Sequence, residues 1–176
     1  LTFAVVLELC IRLPEILRRK VNVILTPASG PAPVQFLNVK NLGSVQGFRA
    51  ESTILQRRND PNPLHRSTFR LEWEGANKRS VKLRRHGSCN LVIATAGETK
   101  GNERGHQYDL DWLEICGLSG ENEREPKQRS TFRHGDALPE YDLEISIVGD
   151  SGQKAYTEIF IVRPGRTAAI EMLPKR

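Results

Sequence analysis

Beyond Lys20 this chain sustains no helical period of useful length. Apolar residues recur instead at every second position, in short runs separated by Gly, Pro, Asn and Asp. A period of two puts alternate side chains on opposite faces of a strand, so the pattern commits the chain to half-buried antiparallel sheet. Residues 34–55 show it most fully. Phe48, Ala50, Ser52 and Ile54 fall on one face, and Arg49, Glu51 and Thr53 on the other. Just before them, Lys40, Asn41, Leu42, Gly43 and Ser44 have the composition of a tight reversal, with Asn and Gly supplying backbone freedom. Residues 34–55 are therefore expected to form two strands joined by a polar turn.

The same alternation continues downstream. Phe69, Leu71 and Trp73 alternate with Arg70, Glu72 and Glu74, and a Trp in such a strand reads as the large core residue of a sandwich. Val81 with Leu83, then Cys89, Leu91 and Ile93, then Tyr108, Leu110, Trp112 and Ile115 mark further strands. Tyr141, Leu143, Ile145 and Ile147 are expected to pair, through the turn Gly149-Asp150-Ser151-Gly152, with residues 155–162, before a last strand over residues 168–173. Residues 26–33 are dense in breakers and predict a loop. Residues 97–105 predict a mobile loop, and the charged residues 117–129, lacking apolar anchors, predict a poorly ordered one. About eight to ten strands separated by turn signals indicate an all-β antiparallel sandwich, one domain over residues 21–176.

Residues 1–20 differ in kind. Leu1, Val5, Leu9, Leu13 and Ile16 contribute to an apolar stripe, while Glu8, Arg12, Glu15 and Arg19 recur on one narrow face at helical spacing. Glu8 with Arg12, and Glu15 with Arg19, stand acid before base at the spacing that supports a helix. Pro14 either kinks that helix or opens a second one. A full span needs about 20 apolar residues, and this run is shorter and carries charges. The chain begins at Leu1 rather than Met, which keeps open the last turns of a longer span. The readings are a helix lying on its own domain, a self-association element, or a membrane-surface helix. For a membrane neighbour, Arg18, Arg19 and Lys20 place the following domain on the cytoplasmic side.

The net charge of +5 is spread along the chain rather than massed in one run. A solvated surface explains that, and a polyanionic partner is the alternative. Cys10, Cys89 and Cys116 make no Cys-x-x-Cys pair, so zinc and thioredoxin-type chemistry have no support. Cys89 and Cys116 both fall in strand-like runs, where either a disulfide or buried free thiols fit. The missing paired spacing and the lack of an Asn-x-Ser/Thr site lean toward a reducing, cytoplasmic compartment.

Gly149-Asp150-Ser151-Gly152 resembles the segment around the nucleophile of trypsin-like serine proteases. None of His65, His86, His106 or His134 has the matching context, and a serine without a base is not activated. The hairpin reading is preferred. His106, Asp109 and Asp111 cluster in sequence but read as a solvated strand edge rather than a metal site. Arg66, Phe69 and Arg70, and again Arg129, Phe132 and Arg133, interleave basic and aromatic residues as a nucleic-acid face does. Alternation turns the aromatics inward and the arginines outward, so core plus surface explains them first. No catalytic, cofactor-binding or metal-ligating residue is assigned.

The run Leu37-Asn-Val-Lys-Asn-Leu-Gly43, residues 48–54, Phe69-Arg-Leu-Glu-Trp73, Ser80-Val-Lys-Leu83 with Gly87, and Leu138-Pro-Glu-Tyr-Asp-Leu-Glu-Ile-Ser-Ile-Val148 follow a recurring order. It resembles the immunoglobulin-like sandwich domains of bacteria and archaea, including cell-adhesion-related and membrane-tethered relatives. The resemblance implies an immunoglobulin-like sandwich preceded by a helix, and no catalytic residues. The expectation is a non-enzymatic interaction or structural domain, cytoplasmic and membrane-associated or oligomerised through Leu1, Val5, Leu9, Leu13 and Ile16. Its partner would be a protein or a second copy, with no small-molecule substrate or cofactor. The alternative is a polyanion-binding module, for nucleic acid or anionic lipid, using surface arginines.

Overall fold

The computed structural model describes residues 23–29, 33–59, 68–75, 79–97, 110–119, 123–133, 135–150, 154–165 and 170–176. Among them the chain is all-β and contains no helix. The strands are β1 (Val23–Ser29), β2 (Val34–Asn41), β3 (Gln46–Arg58), β4 (Thr68–Arg70), β5 (Glu72–Trp73), β6 (Val81–Leu83), β7 (Ser88–Gly97), β8 (Trp112–Ser119), β9 (Glu123–Thr131), β10 (Glu140–Gly149), β11 (Lys154–Pro164) and β12 (Ile170–Pro174). The expected N-terminal helix, with Leu1, Val5, Leu9, Leu13 and Ile16, lies outside the described residues.

The expected sandwich of two separate sheets is not what forms. All twelve strands belong to one hydrogen-bonded sheet, whose main path runs β1-β2-β7-β8-β4-β3-β10-β11-β12. The stitch between its halves is residues 68–73. β4 pairs with β3 through Ser52 opposite Phe69, whereas β5, one residue further on, pairs with β7 through Leu91 opposite Trp73. One short segment thus serves both halves, and the sheet coils around a single core, as twisted sheets do when they approach closure. At the far end β12 lies against β2 and β7, so the ring nearly closes.

The reversal expected in residues 34–55 is also corrected. β2 pairs with β1 and β7, and β3 pairs with β4, β6 and β10. The two strands never pair with each other; the turn carries the chain from one half of the sheet to the other. Asn41 shapes this crossing. Its fully buried side chain donates to the carbonyls of Ser44 (2.8 Å) and Leu83 (3.2 Å), and its Oδ1 accepts from Gly43 N–H (2.9 Å). Its own backbone N–H donates to Gly87 O and its carbonyl accepts from His86 N–H. The crossing turn and the turn after β6 are therefore clamped together.

The faces read from alternation hold for β3, β5 and β10 but not for β8, where Leu113 rather than Trp112 is buried with Ile115. Phe48, Ala50, Ser52 and Ile54 all turn inward, with Leu37, Val39, Leu71, Trp73, Tyr141, Leu143, Ile145 and Ile147. Each fully buried large aliphatic or aromatic side chain contributes about 1.5–3 kcal/mol. Tyr141 reaches across from β10 to hydrogen-bond the Ser130 hydroxyl on β9. A smaller cluster of Phe36, Val92 and Cys116 sits apart from this core.

Two loop expectations fail for identifiable reasons. Residues 26–29 continue β1, with Pro27 opposite Leu37; β1 is an edge strand, where a missing N–H is tolerated. Residues 117–129 are largely strand, because β9 pairs with β8 from Glu123 to Thr131 and borrows its anchorage from that neighbour. β10 and β11 form the expected hairpin, and Asp150, directly after β10 in its turn, accepts from Gly47 N–H at 2.7 Å.

Candidate functional site

The weakest joint of the sheet is between β4 and β8, which meet through one register pair, Arg70 opposite Leu118. A cleft of about 480 Å³ opens there, lined by Glu51, Thr68, Phe69, Arg70, Arg79, Leu118 and Lys127. Its residues come from five stretches of chain. Alternation in β3 and β4 puts Glu51 and Arg70 opposite one another on the face away from the core. Phe69, 7% exposed, closes the core from inside while reaching the cleft wall. The Thr68 hydroxyl hydrogen-bonds that of Thr53 at 2.8 Å.

Lys127 is placed by a fault in the ladder. Ile115 stands opposite Gln128 and Cys116 opposite Pro126, so Lys127 is the inserted residue between two register pairs. Such a bulge re-aims a side chain and bends its strand. The Lys127 chain is laid over Gly117: a Cβ there would come within 2.7 Å of Lys127 Cγ and 2.6 Å of the Phe69 ring. Any larger residue at Gly117 would push the lysine or the ring aside.

On β3 and from β10 to the residues after β12, ion pairs join Arg58 with Glu140 and Asp142, Arg163 with Glu140 and Glu171, and Lys175 with Asp142. Among the described residues the cleft is lined by the basic Arg70, Arg79 and Lys127 and the acidic Glu51.

The other sequence candidates are not brought together. Ser151, His65, His106, His134, Asp109 and Arg66 lie outside the described residues. His86 is exposed at a turn with φ of 62°, and Asp150 is engaged by a backbone amide. Among the described residues no group of three His, Cys, Asp or Glu is placed to hold a metal, and no helix is long and apolar enough to cross a membrane. Cys89 packs against the main core and Cys116 belongs to the separate cluster; both are free thiols, so the disulfide alternative does not arise between them. Burial pushes the Cys89 thiol above its ordinary pKa, keeping it protonated at neutral pH.

Phe69 and Phe132 are buried as expected, while Arg70 is half-buried and Arg129 and Arg133 are exposed. Arg129 lies over the Trp112 ring at 4.6 Å, and that indole covers Gly97 on the next strand. This is a supported surface tryptophan rather than a second cleft.

Sequence reasoning named Arg70 and passed over Lys127, Arg79, Glu51 and Leu118. Pro126 inside a charged run carried the available signal, since proline in a paired strand marks an edge or a bulge. Fold and cleft together define an all-β domain with a basic recess at a seam of its sheet. No family model, curated protein or solved structure matches the chain.

Proposed function

We propose that this chain is a non-enzymatic binding domain that recognises an acidic partner through the cleft at the β4–β8 seam. The observation that carries this reading is the grouping of Arg70, Arg79 and Lys127 from three separate stretches of chain around one recess with an aromatic wall.

Binding of this kind depends on salt, because cations that replace counterions on a polyanion release them. With three phosphate contacts on a single-stranded oligonucleotide, log K against log salt is expected to fall with a slope of about −2, at about 0.7 per contact. Fluorescence anisotropy with a labelled thymidine oligonucleotide between low and physiological salt measures it. Affinity that is flat across that range, or no binding at low salt, would remove an acidic partner from consideration.

A further inference from the structure

We propose that prolines close the open edges of this sheet to strand addition. The domain then meets its partners through side chains, and does not lend an edge to an extended peptide or to a second copy. The inference is independent of the acidic-partner reading. Among the described residues β1, β9 and β12 are the longest strands that pair on one side only, with β2, β8 and β11 respectively. Each contains one proline: Pro27, Pro126 and Pro174. The strands paired on both sides contain none except Pro164, the last residue of β11.

Proline has no N–H, and an edge that lacks a donor cannot complete a ladder with an incoming strand. The side on which each missing donor falls decides its effect. Successive residues of an antiparallel strand turn their N–H alternately to one neighbour and to the other. Lys175 N–H donates to Ile159 O on β11 at 2.8 Å. By that alternation Glu171 and Leu173 also turn their N–H to β11, whereas Ile170, Met172 and Pro174 face away from it.

The same reasoning places Pro27. Asn41 N–H donates to Gly87 O at 2.9 Å, one step beyond the β2–β7 ladder. Val39 and Leu37 therefore turn their N–H to β7, and Pro27, opposite Leu37, faces away from β2. Both prolines put their missing donor on the outer side of an edge. These edges end the main hydrogen-bonded path, so the nearly closed ring lacks a donor on each rim. Pro126 stands beside the bulge at Lys127, in a strand that also carries Glu123, Arg124, Glu125 and Arg129. A bulge and a run of charge both discourage an added strand. Recognition by β-strand addition, a common way to hold an extended peptide, is thus disfavoured at all three edges.

The test combines Pro27→Thr and Pro174→Thr in the whole chain, beside Pro33→Thr, which changes an exposed proline in the turn before β2. Threonine restores the N–H, suits a strand and adds little apolar surface. In sedimentation velocity the wild type and Pro33→Thr are expected to run as monomers. The edge variant is expected to self-associate at concentrations about 10- to 100-fold lower than any at which the wild type does, the equivalent of two recovered hydrogen bonds. Circular dichroism melts establish that each variant folds.

Hydrogen exchange on the dilute wild type gives a reading that needs no variant. The Leu25 and Met172 amides, on the outer sides, are expected to exchange faster than those of Thr26 and Leu173, which face β2 and β11. Slow exchange at Leu25 and Met172 would show edges already covered and would overturn the proposal. A folded edge variant that stays monomeric also overturns it. So does a wild type that associates and gains protection at Leu25 and Met172, or a Pro33→Thr variant that associates as strongly as the edge variant.

Discussion

Trp73→Ala is expected to destabilise the domain by about 3–5 kcal/mol, the cost of truncating a large buried aromatic. Trp73 is fully buried on β5, opposite Leu91 of β7. It stands on the segment that joins the two halves of the sheet, where a cavity would loosen both. Trp73→Phe sharpens the prediction. The indole Nε1–H is buried without a hydrogen-bond partner among the described residues, and an orphaned buried donor costs about 1–3 kcal/mol. Phenylalanine loses apolar area but removes that donor, so the two changes oppose one another and the net loss is expected to stay below about 1.5 kcal/mol. Urea unfolding with matched slopes measures both. Equal losses for Phe and Ala would show that the site needs the indole itself.

Asn41→Ala is expected to cost about 2–4 kcal/mol, from lost hydrogen bonds worth about 1 kcal/mol each and from polar groups left without partners in a buried place. The side chain holds Ser44 O, Leu83 O and Gly43 N–H in one clamp, so its loss frees both the crossing between β2 and β3 and the turn after β6. Asn41→Asp is expected to cost at least as much. The carboxylate keeps the Gly43 contact but turns an acceptor toward the carbonyls of Ser44, Leu83 and Arg84, where the amide donated. Chemical denaturation reads the loss, and a change within about 0.5 kcal/mol, typical of an unremarkable surface substitution, would show that the clamp contributes nothing.

These residues mark where the sequence was legible and where it stopped. Alternation assigned Phe48, Ala50, Ile54, Leu71, Trp73 and Ile145 to the core, and all are buried. Periodicity reports which face a residue occupies; it is silent on which strand lies alongside. The same Asn and Gly chemistry serves a hairpin and a crossing between sheet halves, so residues 40–44 read as a reversal although β2 and β3 do not pair. A sandwich and a nearly closed single sheet likewise share one alternation, and only the double pairing of residues 68–73 separates them. The cleft was less legible still. Arg70 was visible as a basic residue beside an aromatic, but Lys127 depends on a bulge, and Arg79 and Glu51 reach the site through ladders far apart in sequence.

The most direct test of an acidic partner at the β4–β8 seam is amide chemical-shift mapping during titration with the thymidine oligonucleotide. Perturbations are expected to gather at Glu51, Thr68, Phe69, Arg70, Arg79, Leu118 and Lys127, the residues that line the cleft. Shifts confined to the charge-matched surface around Glu140, Arg163 and Glu171, with the seam unchanged at saturation, would contradict it.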